Sequence, residues 1–265
     1  MRFIGLALPR VLMRAPYGPD PKRCDNFSFS EDASELSGAG CLWGSAGFAF
    51  AQIVIRAFAN SGWFADLRGA PRDELRGGIV TDLPVVSFAS DRPGIAVKPS
   101  VESLLSEAHD KDLSDLGFMT LRNMPLTDYS VFYSVPSFQS ARRQPNQTAA
   151  ASARLSSMLQ YTLCVSRFAH YIKVLGRDRL GSITTAEETQ VFLHSWLRGY
   201  CEGSDSASQE AKARCPLKEA AVEVRDSPRD PGVFACTIHL RPHYQLDDIA
   251  TGFRLTTTLS PQRAA

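Results

Sequence analysis

The C-terminal stretch of this 265-residue chain changes its polarity at every residue. Ala220, Val222 and Val224 alternate with Ala221, Glu223 and Arg225. A second run from Val233 places Phe234, Cys236, Ile238 and Leu240 on one face, and a third repeats through Ile249, Thr251, Phe253, Leu255, Thr257 and Leu259. Successive side chains of a strand point to opposite faces, so a period of two specifies strands with one covered face. Pro228, Asp230, Pro231 and Gly232 separate the first two runs and are turn residues. The pattern predicts a hairpin, 218–226 with 233–240, and one further strand over 249–259. Such a sheet needs a cover for its apolar face, and its edges remain templates for pairing with another chain.

Helices supply the cover. The strongest signal runs from Thr148 to Leu175, with Leu155, Met158, Leu159, Val165, Phe168, Ala169 and Ile172 on one face and Tyr161, Cys164, Tyr171 and Leu175 on another. Two apolar faces predict a helix covered on both sides, roughly 40 Å long at 1.5 Å per residue. Thr184-Thr185-Ala186-Glu187-Glu188 carries a capping-box pattern, Ser or Thr followed by Glu three residues later. It opens a helix with Phe192, Leu193, Trp196, Leu197 and Tyr200 on one face. A short helix is expected within Ser206 to Arg214, halted by Pro216.

The preceding part is more broken. Residues 14–40 carry Pro16, Pro19, Pro21, Gly38 and Gly40 and read as loop. A helix is expected from Trp43, with Phe50, Val54 and Phe58 as its stripe, Phe48 and Ile55 widening it, and Gly62 as a left-handed cap. Ile79 to Phe88, Ile95 to Lys98, Phe118 to Leu121 and Tyr129 to Val135 suit strands, and Val101 to Leu113 suits a helix. Residues 136–148 are polar and read as a linker. The fold class is α+β with mixed sheets, divided into residues 1–140 and 141–265.

Composition narrows the function. Lys and Arg number 29 against 28 Asp and Glu, without a basic stripe, which argues against a nucleic-acid binder. Apolar residues make up 44%, enough for a core. Leu42 to Ala59 is interrupted by Gln52 and Arg56, so no membrane insertion is expected. The six cysteines form no CxxC pair and read as reduced thiols in the cytoplasm. His239 and His243 lack a third ligand, and Pro242 breaks the helix that i,i+4 ligands would need. Cys164 and His170, six residues apart in a helix, point to different sides. Neither a nucleophile elbow nor a phosphate loop occurs. The residues alone give a protein with no visible catalytic constellation. No enzyme activity and no cofactor or metal are expected, and weight moves to binding and structural roles.

Several multi-residue words carry a likeness. They are Gly5-Leu6-Ala7-Leu8-Pro9-Arg10-Val11-Leu12, Leu42-Trp43-Gly44-Ser45-Ala46, Ser61-Gly62-Trp63-Phe64 and Leu113-Ser114-Asp115-Leu116-Gly117-Phe118. Three more follow: Ser166-Arg167-Phe168-Ala169-His170-Tyr171, Ala207-Ser208-Gln209-Glu210-Ala211-Lys212-Ala213-Arg214 and Leu240-Arg241-Pro242-His243-Tyr244-Gln245-Leu246. In this order they resemble the large subunit of the type VI secretion contractile sheath, the TssC/VipB/ImpC-like family. The resemblance implies a cytoplasmic structural subunit. It would polymerise with a small sheath subunit and neighbouring copies of itself around an inner tube, on a baseplate, and drive contraction.

The family's large subunit is about twice this length, so the resemblance further implies that its N-terminal half is absent here. The contact with a disassembly ATPase would go with that half. Intersubunit strand pairing, a family trait, falls on the tail strands, with Val222, Val224, Phe234, Cys236, Ile238 and Leu240 as candidate positions. The alternatives are a truncated or assembly-capping binding module and a hydrolase using Cys164 or a serine.

Overall fold

Breakers every few residues cut the first half of the chain into short strands, and the longer patterned runs of the second half form longer elements. The computed structural model describes residues 3–32, 40–71, 74–85, 100–124, 127–139, 150, 153, 156–179, 185–204, 206–227, 233–243 and 253–259. Helices and mixed sheets coexist, an α+β fold. The chain forms two compact units, one of residues 3–57 and 67–139, the other of residues 58–66 and 140–265.

The first unit contains β1 (Leu6–Leu8), β2 (Val11–Leu12), β3 (Trp43–Gly44), most of α1 (Gly47–Ser61), β4 (Ile79–Val80), α2 (Glu107–Asp115), β5 (Phe118–Asn123) and β6 (Ser130–Phe132). Four strands form one sheet in the order β1-β5-β6-β4. β1 runs parallel to β5 and the other pairings are antiparallel. β2 and β3 form a separate two-stranded ribbon.

Several expectations shift here. Trp43 was expected to open a helix, but it pairs with Leu12 in the ribbon. The helix starts at Gly47, whose N–H donates to Ser45 Oγ at 3.1 Å, a local cap that outweighs the apolar period before it. Its buried stripe is Ala49, Phe50, Ile53 and Ala57. Phe48 and Ile55 are 67% and 69% exposed, and Phe58 is 47% exposed. A strict spacing of four drifts off a 3.6-residue helix, so small alanines take places that the phenylalanines were expected to fill. Phe50 meets Phe132 edge-on at 5.6 Å. Gly62, with φ +75°, ends the helix in the left-handed region as expected.

The helix expected from Val101 begins only at Glu107, with Ser106 Oγ accepting from His109 N. Val101 is engaged in a bridge to Val11, and the Glu102 N–H donates to the Arg10 carbonyl. The buried side of α2 is polar. Asp110 accepts hydrogen bonds from Thr120 and Arg122 on β5, and Ser114 donates to Ser134. The strand expected over Ile79 to Phe88 is strand only at Ile79–Val80, with no strand over 81–85. Its remainder and Ile95 to Lys98 lie outside the described residues.

The second unit holds α3 (Leu159–Arg179), α4 (Ala186–Arg198), α5 (Gln209–Arg214) and the antiparallel sheet of β7 (Leu217–Asp226), β8 (Phe234–Pro242) and β9 (Phe253–Leu259). The expected 148–175 rod is interrupted: Ala150, Ala153 and Ser156 are helical, Ser157 is a turn, Met158 sits in a bridge, and α3 then continues past 175 to Arg179. Its 21 residues span about 32 Å. The two-sided cover holds for its first turns, where Tyr161, Cys164, Val165 and Phe168 are buried, but Tyr171 is exposed. The Thr185 cap on α4 is present, accepting from Glu188 N.

Phe168, fully buried, stacks on Trp63 at 4.2 Å and meets Tyr200 and Trp196 edge-on at 5.7 and 6.0 Å. Immediately before it in the chain, Arg167 lies over the rings of Phe58, Trp63, Phe64 and Tyr171 at 4.7–5.5 Å and donates to the Gly62 carbonyl. Residues 58–66 are thereby tied to α3.

Two stability predictions follow from these contacts. A Cβ on Gly78 would sit 2.1 Å from the Phe132 carbonyl oxygen, which is backbone and cannot step aside. Gly78→Ala should therefore destabilise the first unit by about 1–3 kcal/mol, read as a lower urea midpoint. Arg167→Ala should cost the second unit about 2 kcal/mol in the same measurement. Arg167→Lys should lose less, because the charge stays while the flat stacking surface goes.

Candidate assembly sheet

The sheet of the second unit is built by alternation and by what lies under it. On β7 the residues Val222 and Val224 are buried while Glu223 and Arg225 are exposed. On β8 the buried set is Phe234, Cys236, Ile238 and Leu240. Register joins the two sets directly: Val222 opposes Ile238, Val224 opposes Cys236, and Ala220 opposes Leu240. β9 then pairs along β8 from Phe234↔Leu259 to Leu240↔Phe253.

All six candidate positions thus turn their side chains into one core. They share it with Trp63, Cys164, Phe168 and Ile172, and with Leu193 and Leu197 of α4. These side chains hold the sheet to the helices. Any pairing with another chain falls to the backbone at the sheet's edges.

Among the described residues the order is β7-β8-β9, so β8 has a partner on both sides and offers no edge. Phe234, Cys236, Ile238 and Leu240 are therefore interior in their backbone as well as their side chains. β7 and β9 are the outer strands. In an antiparallel pair, directly opposed residues alternate between bonding each other and pointing their amides away. The Val224 N–H points away from β8, since it donates to Gln190 Oε1 at 3.1 Å. By the alternation, Val222 and Ala220 also direct their N–H groups outward.

The outer edge of β7 is held at two places. Near Val224 it is held by Gln190 of α4. At its start Glu202 N donates to Leu217 O at 2.8 Å, and Leu217 N donates to Tyr200 O at 3.1 Å. Between these clips lies a short stretch around Ala220 and Val222. The Gln190 clip has no sequence signature, because a glutamine on the polar flank of a helix looks like any solvated residue.

The thiols here are poor nucleophiles. Burial pushes the Cys164 thiol up to about 12, with only a small opposing effect of Arg167. Burial pushes Cys236 up to about 11. Among the described residues no three or more His, Cys, Asp and Glu side chains gather to hold a metal. No described helix is long and apolar enough to cross a membrane.

The chain is thus an α+β protein whose antiparallel sheet is backed by helices and keeps outward amides on one edge strand. Comparison with known proteins is specific. The profile of the EvpB/VC_A0108 tail sheath N-terminal domain matches residues 1–139, and that of the EvpB/VC_A0108 tail sheath gpW/gp25-like domain matches residues 148–259. The type VI secretion system sheath protein TssC1 of Pseudomonas aeruginosa is 33% identical over 265 residues, the whole of this chain and 52% of that protein. The chain belongs to this tail sheath family and spans about half the length of the curated relative it matches.

Removing the Gln190 clip should be visible at one amide. Gln190→Ala should speed hydrogen exchange at Val224 while leaving Glu223 and Arg225, which face β8, protected. Equal acceleration along all of β7 would show that the clip supports the whole strand.

Proposed function

We propose that this chain acts as part of the large subunit of a type VI secretion contractile sheath. It co-assembles with a small sheath subunit and with further large subunits around an inner tube. The role is structural: strands at the edges of the β7-β8-β9 sheet pair with strands of neighbouring subunits, and subunits move as rigid bodies during contraction while that pairing persists. Family membership supports the class. The observation that carries the strand role is the arrangement of the sheet itself, whose inner face is consumed by the core while outward amides remain at Ala220 and Val222. Each added backbone hydrogen bond contributes about 1 kcal/mol net, and repetition along a polymer multiplies it.

Position decides what a proline does. Ile238 opposes Val222 with its amide turned toward β9, so Ile238→Pro breaks the sheet from within and should unfold the unit. Ala220→Pro removes an outward amide and leaves the β7–β8 ladder intact. The test is a chimera in which this chain replaces the matching segment of Pseudomonas aeruginosa TssC1, co-expressed with the small sheath subunit. The chimera should give tubules by electron microscopy, and its Ala220→Pro version should stay folded by circular dichroism yet give none. A folded chimera that never co-sediments with the small subunit would overturn the sheath role. Normal tubules from the Ala220→Pro form would overturn pairing at this edge.

A further inference from the structure

The second unit carries four cysteines, and they fall into two kinds. Cys164 and Cys236 are buried in the core. Cys201 and Cys215 are only half-buried, and both lie at the neck of the segment that leaves α4 and returns as β7. Cys201 sits beyond the C-terminal Gly199 of α4, with its Sγ 3.4 Å from the Leu197 carbonyl. Cys215 ends α5, with its Sγ 4.0 Å from the Gly199 carbonyl. Both thiols are therefore gathered at the same helix end.

The backbone holds them there. Cys201 and Leu217 form a parallel bridge closed by the bonds Glu202 N to Leu217 O and Leu217 N to Tyr200 O. Cys215 is two residues before Leu217, and its sulfur meets a carbonyl two residues before Cys201. The two cysteines stand diagonally across one bridge.

We propose that Cys201 and Cys215 form a reversible dithiol–disulfide site that fastens the end of α4 to the start of β7. The reaction partner is a small-molecule disulfide such as oxidised glutathione. One protein thiol gives up its proton and attacks the small disulfide, whose bond breaks and releases one thiolate. The second protein thiolate attacks the mixed disulfide, forms the Cys201–Cys215 bond and expels the other small thiolate. Two electrons pass to the small molecule, and its two thiolates take up the two protons. Burial, then the neighbouring Cys215 and Glu219, push the Cys201 thiol up. Either thiol makes the first attack and the other closes the bond. In the oxidised form the loop carrying α5 is closed covalently at the neck that two backbone hydrogen bonds now hold.

The sequence supplies a direct readout. Trypsin cuts after Arg198, Lys212, Arg214 and Lys218, so Cys201 and Cys215 fall in separate peptides, 199–212 and 215–218. The folded full chain is treated with excess oxidised glutathione, blocked with an alkylating agent and digested without reductant. The expected product is these two peptides joined, two hydrogens lighter than their sum and separated by reductant. Cys201→Ser should instead carry one glutathione on Cys215, because the closing thiol is gone. Free or singly glutathionylated peptides in the wild-type chain, with exposed Cys24 glutathionylated as proof of an active oxidant, would overturn the site.

Discussion

The second unit rests on the burial of one ring. Phe168 has no exposed surface and touches aromatic groups from two other parts of the chain: Trp63 in residues 58–66, and Trp196 and Tyr200 at the end of α4. Stacked and edge-on ring pairs are worth about 0.5–1.5 kcal/mol each beyond the area they cover. Their geometry also fixes the angles at which the segments meet. α4 is thereby set beside β7, and only then does Gln190 reach the Val224 amide. Arg167 completes the junction, turning a flat cation onto the rings of Phe58, Trp63, Phe64 and Tyr171.

What the sequence revealed depended on how far each pattern repeats. The tail strands were legible because alternation over many residues has one structural solution, and Val222, Val224, Phe234, Cys236, Ile238 and Leu240 were all placed on strands. The α4 face and its Thr185 cap were legible because period and cap agree. Where a helical period met a competing cap or strand pairing, the period lost. Ser45 moved the start of α1 past Trp43, and pairing of Val101 with Val11 delayed α2 until Ser106 could cap it. The polar underside of α2 was illegible for another reason. Asp110 and Ser114 find their partners on β5 and at Ser134, tertiary matches that no window of sequence contains.

The candidate strands show the same limit in functional terms. Alternation says which side chains are covered, but not which strand lies in the middle. β8 lies between β7 and β9, so four of the six positions have no free backbone, a fact of topology. The likeness to sheath subunits pointed to the tail strands, and the hydrogen-bond alternation then separates Ala220 and Val222, which look outward, from Glu223 and Arg225, which do not.

The Gln190 contact also bears on reversibility. A side-chain carbonyl on Val224 N–H occupies the position that the carbonyl of an arriving strand would take. Swapping one for the other leaves the number of hydrogen bonds at that amide unchanged, and the displaced amide of Gln190 passes to water. An edge guarded in this way is closed to casual partners, since a newcomer gains nothing from that first bond alone. It opens without a large penalty to a strand that continues along the edge, so selectivity comes from the length of the match.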